Sequence, residues 1–490
     1  MEDQYRLLGG LKGTLGRWEF DGAVGLMGDK VRVSQRGAVL TTPMDDALDS
    51  GRYVPGFAND PTVLASISPT LVRAGNARTL FGDLHLSTEL GQLPGGPVGL
   101  ATGLEVRRET QADHFDPRMV AGDVFGFGSL QDIDSARTAT SVFGELRLPV
   151  LPSLEADLAT RYDRYSTGGK AFTPKAGLKW TMAPALLARA TWGRGFRVAN
   201  PREISPSSSV GFYNGVQDPV RCPSVTSTNP DCSLSIVANI SGNPDLQPEK
   251  SRSFTAGFVL EPAKDTSITV DYWRIQRTNE ITNLSLDYLL ANQSTFAQYI
   301  TRDTSGAITQ VDLPYINLSG TEVKGLDFEL KGKSSLGENG KLSWGGAVTR
   351  YLSFRVQPAP GVPADEYNGT YNQPKLRSSA YVGWEKGPWS SELRITHVDG
   401  FSNRPTPSSP CSAPASLSQY CGVGSWDVLG LFVGYKGFKN VELTLNIANL
   451  LDKAPPFDYR ALRNSQTTAW NSNYANANGR TFQLAARYTY

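Results

Sequence analysis

The sequence predicts an all-β protein, a transmembrane antiparallel β-barrel with long extracellular loops and short periplasmic turns. Three features predict this fold: alternating segments along the whole chain, connections that are short and long in turn, and an aromatic strand at the C-terminus. Outer-membrane barrels combine the three because they place lipid on one face of every strand, water on the other and aromatic rings at the interfaces.

The last ten residues, Thr481–Tyr490, read TFQLAARYTY, with apolar and mostly polar side chains at alternate positions. This period of two indicates a strand with one apolar face. An edge strand of a soluble sheet has the same pattern, so the interpretation depends on recurrence. The apolar face carries these residues: Phe482, Leu484, Ala486, Tyr488 and Tyr490.

The alternation recurs along the chain, and several of the polar faces carry charges of both signs, as a wet lumen permits. In the clearest strand, Leu154, Leu158 and Tyr162 oppose Asp157 and Asp163. Further alternating segments lie near 176–180, 186–192, 254–260, 268–272, 326–330 and 443–447.

Connections of two kinds separate these strands. Tight turns with Pro or Gly are predicted near 149–153, 182–185, 261–266, 385–388 and 435–440. Long polar segments occupy 110–138, 197–249, 277–320, 357–374, 399–424 and 451–480, and a short helix is predicted near 284–300. Turns on one side and long loops on the other are typical of outer-membrane barrels.

The composition excludes several other classes of protein. Apolar residues make up 39% of 490 residues, and no run of about 18 apolar residues predicts a transmembrane helix. A net charge of +1 gives no reason to expect nucleic acid as a partner. Three His and four Cys predict neither a metal cluster nor a bound cofactor. The N-terminus lacks the basic and apolar regions of a signal peptide.

All four cysteines lie in the long loops, as two local pairs of equal spacing. Cys222 and Cys232 flank PSVTSTNPD, and Cys411 and Cys421 flank SAPASLSQY. The pairs suggest two disulfides formed in an oxidising compartment, the alternative being four free thiols.

Five segments, in order, resemble those of TonB-dependent outer-membrane receptors. Their aromatic C-terminus completes the resemblance, which covers about half of the chain. The segments are TWGRGFR at 191–197, GNPDLQPEK at 242–250, VDYWRI at 270–275, VKGLD at 323–327 and NIANLLDK at 446–453. Family members often continue the first segment with Ala-Pro, where this chain has Val-Ala-Asn-Pro.

The resemblance implies a 22-stranded, plugged barrel. We count about 17 strands, beginning near Tyr5, with a first turn near 15–17, and nothing resembles the plug or a TonB box. First and last strands then run the same way, so antiparallel closure needs an odd number of further strands. We therefore expect residues 1–490 to be a C-terminal barrel portion, without plug domain, signal peptide or the early strands.

The resemblance also implies a transporter that binds a scarce solute, typically a ferric siderophore, with cobalamin and oligosaccharides as alternatives. Its partners would be outer-membrane lipid, the barrel assembly machinery, and TonB through the absent N-terminal region. By location alone, Tyr213, Arg460, Trp470 and Tyr474 are candidate ligand contacts, although solvated loop residues are the simpler interpretation.

Phe482, Tyr488 and Tyr490 would form the C-terminal assembly signal of such a barrel. No enzyme chemistry is predicted, because Asp163 and Asp271 have no nucleophile or metal site beside them and are expected to be lumen charges. Two other readings stay open: a passive or adhesin-like barrel without a plug, and a soluble β-rich binding or structural protein.

Overall fold

The computed structural model describes residues 2–205, 208–222, 229–284, 286–359, 362–371, 373–404, 411, 413, 415–465 and 468–489. One eighteen-stranded sheet dominates it, in which the two-residue strand Asp365–Glu366 accompanies seventeen strands of eight residues or more. The predicted count of about 17 strands is confirmed.

The seventeen strands follow one another in chain order, each antiparallel to the next. They are β1 (Glu2–Leu15), β2 (Trp18–Gln35), β3 (Leu71–Leu93), β4 (Gly96–His114), β5 (Ile133–Leu151), β6 (Leu154–Tyr165), β7 (Lys170–Ala183), β8 (Leu186–Arg197), β9 (Glu249–Ala263), β10 (Thr266–Asn283), β11 (Tyr315–Ser335), β12 (Lys341–Gln357), β13 (Leu376–Lys386), β14 (Trp389–Val398), β15 (Trp426–Phe438), β16 (Val441–Ala448) and β17 (Thr481–Tyr488).

The two ends of this sheet are free edges among the described residues. β1 pairs only with β2, and β17 pairs only with β16. Because seventeen antiparallel strands are an odd number, β1 and β17 run in the same direction, as the sequence predicted. The two edges therefore cannot close on each other with antiparallel hydrogen bonds.

The connections differ at the two ends of the sheet. One end has only turns of up to five residues, and all five tight turns predicted from the sequence lie there. The other end carries eight connections, at 36–70, 115–132, 166–169, 198–248, 284–314, 358–375, 399–425 and 449–480. We call these the inner and outer ends.

The outer connection at 166–169 is an exception, because it spans only four residues. Gly168 and Gly169 have φ values of +97° and +96°, which the backbone of a glycine adopts without strain. The amide of Tyr165 donates a hydrogen bond to the carbonyl of Gly169, with an N···O distance of 3.0 Å, and closes this turn.

The two faces of the sheet differ as the alternation predicted. Large apolar side chains project from one face, where Phe258 is 54% exposed and Phe482 is 66% exposed. The other face carries charged pairs such as Arg189–Asp271 and Arg161–Asp163, with N···O distances of 2.6 Å and 2.9 Å. No helix among the described residues is long and apolar enough to cross a membrane.

The outer loops 198–248 and 284–314 fold together, and we call them the loop module. Its four-stranded sheet joins Ser208–Val216, Leu234–Ser241, Ile300–Arg302 and Ile308–Asp312. The helix predicted near 284–300 appears as two short helices, Leu286–Ala291 and Gln293–Phe296. These elements bury a shared apolar core that includes Leu284, Leu289 and Val311.

A smaller core joins the loops 36–70 and 115–132, which the sequence analysis did not resolve. Leu40, Leu71, Met119 and Val124 are buried together there. The remaining helices are short: Thr41–Asp49, Pro61–Ile67, Pro117–Val120, Pro201–Ile204 and Tyr459–Ser465, with single 3₁₀ turns at Pro230–Cys232, Ala297–Tyr299 and Gly337–Asn339 and a longer 3₁₀ segment at Ala415–Cys421.

Candidate functional site

The segment GNPDLQPEK fastens the loop module to the outer rim. The amide of Asn243 donates to the carbonyl of Glu203 at 2.7 Å, and its side-chain amide donates to the carbonyl of Tyr315 at 3.0 Å. A Cβ at Gly242 would lie 1.9 Å from the carbonyl oxygen of Ser205, so only glycine fits there. Leu246 is buried, and this anchors the chain as it returns to β9.

The segment NIANLLDK anchors the opposite side of the rim. Asn449 has a φ of +51°, and its side chain forms hydrogen bonds of 2.9 Å with the backbone of Lys453 in both directions. The amide of Arg480 donates to the carboxylate of Asp452 at 2.7 Å, and Lys453 pairs with Asp427 at 2.9 Å. The segment thus joins the outer ends of β15, β16 and β17.

Three outer connections and the outer end of β13 bring aromatic rings and guanidinium groups together, and we call this group the rim cluster. The guanidinium of Arg460 lies 4.4 Å from the ring centroid of Tyr371, and that of Arg377 lies 4.9 Å from the ring centroid of Tyr474. Phe401 joins the two pairs, with ring centroids 5.8 Å from Tyr371 and 5.4 Å from Tyr474. Such stacking holds the guanidinium planes in fixed orientations.

The surroundings of the rim cluster perturb its phenols. Burial, together with the charge of the nearby Asp458, raises the pKa of Tyr371 to about 12. Burial also raises the pKa of Tyr474. Asp458 is fully buried and accepts hydrogen bonds from the amides of Arg460 and Ala461 at 2.9 Å and 3.1 Å. Both shifts favour the protonated form of the phenol.

The four residues singled out as candidate ligand contacts separate into two groups. Arg460 and Tyr474 lie in the rim cluster. Trp470 is half-buried in the same connection, 449–480. Tyr213 packs instead against the apolar core of the loop module. Sequence reasoning missed Tyr371, Arg377 and Phe401, because no local pattern signals a contact between separate loops.

Both predicted cysteine pairs are disulfides in the structure. The Cα atoms of Cys222 and Cys232 are 5.2 Å apart, and those of Cys411 and Cys421 are 5.4 Å apart. Both distances lie within the usual range for a disulfide. The first bridge lies in the loop module, and the second lies in the connection that also holds Phe401.

A buried ion pair fixes the loop module near its disulfide. Asp218 is fully buried, and the guanidinium of Arg302 lies 2.6 Å from its carboxylate. Burial alone would raise the pKa of Asp218, but the hydrogen bonds from Arg302 and from the amide of Val220 hold it below its usual value. The module is therefore a cross-linked unit, which links two loops far apart in sequence.

The face of the sheet that carries the charged pairs is the predicted lumen face. In its outer half, residues of opposite charge form ion pairs across β4, β5 and β6. Arg161 bridges Glu105 and Asp163 with N···O distances of 2.9 Å, and Arg137 pairs with Glu109 at 2.7 Å. Asp163 also accepts a hydrogen bond from the hydroxyl of Ser141 at 2.6 Å. Asp163 thus lies among the charged residues of the lumen face, as the sequence analysis expected.

The described residues contain no group of three or more His, Cys, Asp or Glu side chains arranged to hold a metal ion. Their strand order, alternating faces and folded outer loops are the architecture of an outer-membrane receptor barrel, here open between β1 and β17. The family model for the TonB-dependent receptor-like β-barrel matches residues 12–450, and the chain belongs to this family. Its members are receptors and transporters rather than enzymes.

Solved structures of siderophore receptors share the fold at low sequence identity. The siderophore receptor PirA from Acinetobacter baumannii matches with a TM-score of 0.65 at 14% identity, over 100% of this chain and 62% of that one. A mutant of the ferric enterobactin receptor PfeA from Pseudomonas aeruginosa, in complex with enterobactin, matches with a TM-score of 0.65 at 16% identity, over 99% and 62%.

PirA from Pseudomonas aeruginosa matches with a TM-score of 0.52 at 15% identity, over 99% of this chain and 70% of that one. No curated protein matches the sequence. The chain thus spans about three fifths of the length of the first two structures.

Proposed function

We propose that this chain forms part of an outer-membrane receptor that takes up a ferric siderophore with energy from TonB. The family places the chain among TonB-dependent receptors, and the structures that resemble it are siderophore receptors. Cobalamin and oligosaccharides remain the alternative solutes, and the solute, the coupling to TonB and the membrane location belong to the proposal.

The observation that supports an anionic, planar ligand is the rim cluster. Arg377 and Arg460 have no carboxylate within salt-bridge distance among the described residues, yet both are oriented by stacking on tyrosine rings. A guanidinium held in this way is ready to donate paired hydrogen bonds to anionic oxygens. Catecholate ferric siderophores present both an aromatic surface and a net negative charge. Neutral oligosaccharides present neither, and the phosphodiester of cobalamin is balanced by its cobalt cation, so cobalamin has no net negative charge.

We also propose that strands and a plug outside residues 1–490 complete the barrel. The free edges of β1 and β17 and their common direction support an odd number of further strands. The length that the chain covers in PirA and PfeA agrees with this.

The test is solute accumulation by the full protein in a strain deleted for its own siderophore receptors. Cells receive iron-55 bound to catecholate or hydroxamate siderophores, labelled cobalamin or a labelled oligosaccharide. We expect accumulation of one ferric siderophore, and its loss when the tonB gene is deleted. Uptake of cobalamin or oligosaccharide alone would overturn the choice of solute, and uptake without TonB would overturn the energised mechanism.

A variant pair examines the rim cluster within the same assay. Each Arg377→Gln or Arg460→Gln change removes a charge-assisted hydrogen-bond donor, so we expect the half-saturating concentration to rise roughly tenfold. The matched control is Lys341→Gln with Lys386→Gln, two exposed cations at the inner end. Equal effects of the two sets would show that net charge, rather than the rim cluster, governs uptake.

A further inference from the structure

A groove on the outer surface of the barrel opens where two neighbouring strands separate. β7 and β8 pair from the inner turn as far as Lys175 and Gly193, and no pair follows. The next residue of β7, Pro174, has no backbone N–H to donate. Beyond it β7 stays paired with β6 and β8 with β9, so a wedge opens between them.

Two adjoining cavities fill this wedge and the rim beside it. The cavity in the wedge has a volume of about 530 Å³, and the cavity at the rim has a volume of about 480 Å³. Lys170, Pro248 and Lys250 line both, so the two form one groove. The adjacent 166–169 connection has only four residues, so this hairpin contributes no long loop to cover the groove.

The groove is lined by cations and by no carboxylate. Its basic residues are Arg164, Lys170, Arg194, Lys250 and Arg252, and neither cavity has an Asp or Glu among its lining residues. All five are exposed, and none makes an ion pair within the described part of the chain. Glu322, across Gln276 on the same face, is already paired with Arg274.

Register places these cations on the lipid-facing side. Arg164 pairs with Lys170 across β6 and β7, and Arg194 pairs with Arg252 across β8 and β9. These four cations are an even number of residues from Tyr162, Phe172 or Phe254 on the same strand or its partner, so they project from the same face. The three aromatic side chains are 41%, 58% and 40% exposed. The basic groove therefore lies at the outer end of a surface whose next side chains toward the inner end are aromatic and apolar.

Such clustering of like charges without counter-ions is unfavourable unless an anion occupies the site. A soluble polyanion would not occupy the apolar part of this surface, because that part faces hydrocarbon rather than water. We propose that the groove binds a lipid of the outer leaflet whose headgroup carries phosphate groups. The phosphates contact the arginines and lysines, and the acyl chains lie along Phe172 and Phe254. This site is separate from the rim cluster, and lipid binding there does not depend on solute uptake.

The test measures lipid binding to the full protein purified in detergent, by native mass spectrometry and by titration with nanodiscs of stated composition. The probes are bisphosphorylated lipid A, its dephosphorylated form and the deacylated bisphosphorylated disaccharide. We expect retention of the first only. Equal binding of the dephosphorylated lipid would overturn the role of phosphate, and equal binding of the deacylated disaccharide would overturn that of the apolar surface.

Charge variants locate the site. Arg194→Gln with Arg252→Gln removes two groove cations, and we expect binding of bisphosphorylated lipid A to weaken about thirtyfold. The control, Arg78→Gln with Arg108→Gln, removes two exposed cations of the same lipid-facing parity that line neither cavity. A retained shift in gel mobility on heating confirms folding of both variants, and Arg194→Lys with Arg252→Lys is expected to restore most of the binding. Equal losses in the groove variant and the control would overturn the proposal.

Discussion

Individual positions of the sheet are expected to face either lipid or water, and introducing one arginine at each kind of position should separate them. Phe258 projects 54% exposed from the middle of β9, and we expect Phe258→Arg to destabilise the barrel by about 2–4 kcal/mol, because lipid solvates a guanidinium poorly. Thr269→Arg is the control, since Thr269 lies on the lumen face directly opposite Glu329. Urea unfolding in lipid vesicles measures both, and equal costs would contradict the assigned faces.

The phenol of Tyr371 is expected to ionise at a higher pH than an ordinary tyrosine, which makes the rim cluster measurable by titration. Its pKa is raised to about 12, above the ordinary value near 10, by burial and by Asp458. The folded form holds the proton more tightly, so the stabilising contribution is complete below about pH 10 and is lost as the pH rises toward 12. The ultraviolet difference between the protein and Tyr371→Phe should show one phenol ionising near 12, and a midpoint near 10 would contradict the contact.

At the scale of elements, the disulfide Cys222–Cys232 is expected to stabilise the loop module rather than the barrel. A closed loop of this length contributes about 3 kcal/mol in the chain-entropy model. In Cys222→Ala with Cys232→Ala, hydrogen exchange should quicken in Ser208–Val216 and Leu234–Ser241 and stay unchanged in β9 and β10.

The matched control is Cys411→Ala with Cys421→Ala, which removes the second bridge from a different connection. Its effect should be confined to 399–425. Faster exchange in the loop module of this control would show that the two outer regions unfold together, and the module would then not be an independent unit.

The strands were predictable and the loops were not, for a physical reason. A strand repeats every two residues, so Phe254, Ala256 and Phe258 indicate the β9 face from their own spacing. The loop module instead pairs Val237 with Gln310 and Asp218 with Arg302, residues far apart in sequence that no local period connects. The two loop helices at Thr41–Asp49 and Pro61–Ile67 were also missed, because nine and seven residues are too few to show a clear helical period.

The motifs that carried the family resemblance serve the scaffold. Asn243, Asn449 and Asp452 form hydrogen bonds at the rim, and Gly325 leaves room for the ring of Trp273, 2.6 Å from where its Cβ would lie. The sequence therefore predicted the family and the barrel, while the candidate ligand contacts stay predictions. Tyr490, named as part of the assembly signal, lies outside the described residues.

For the whole molecule, the direction of the edge strands makes the sharpest prediction. An unpaired edge in hydrocarbon leaves backbone N–H and C=O groups unsatisfied, at several kcal/mol each. β1 has fourteen residues and β17 has eight, so the open sheet is too costly for the membrane. We therefore expect residues 1–490 alone, behind a signal peptide, to aggregate, be degraded or form a leaky pore.

Whether the number of added strands is odd or even decides whether they restore the barrel. Joining the five strands that precede the equivalent region in a solved family member should yield a protein whose gel mobility shifts on heating, because an odd number lets both edges pair antiparallel. Joining four of them adds similar apolar surface and yet leaves two parallel edges, so we expect no shift. TonB-dependent uptake needs the plug as well, and uptake by residues 1–490 alone would disprove the requirement for further strands.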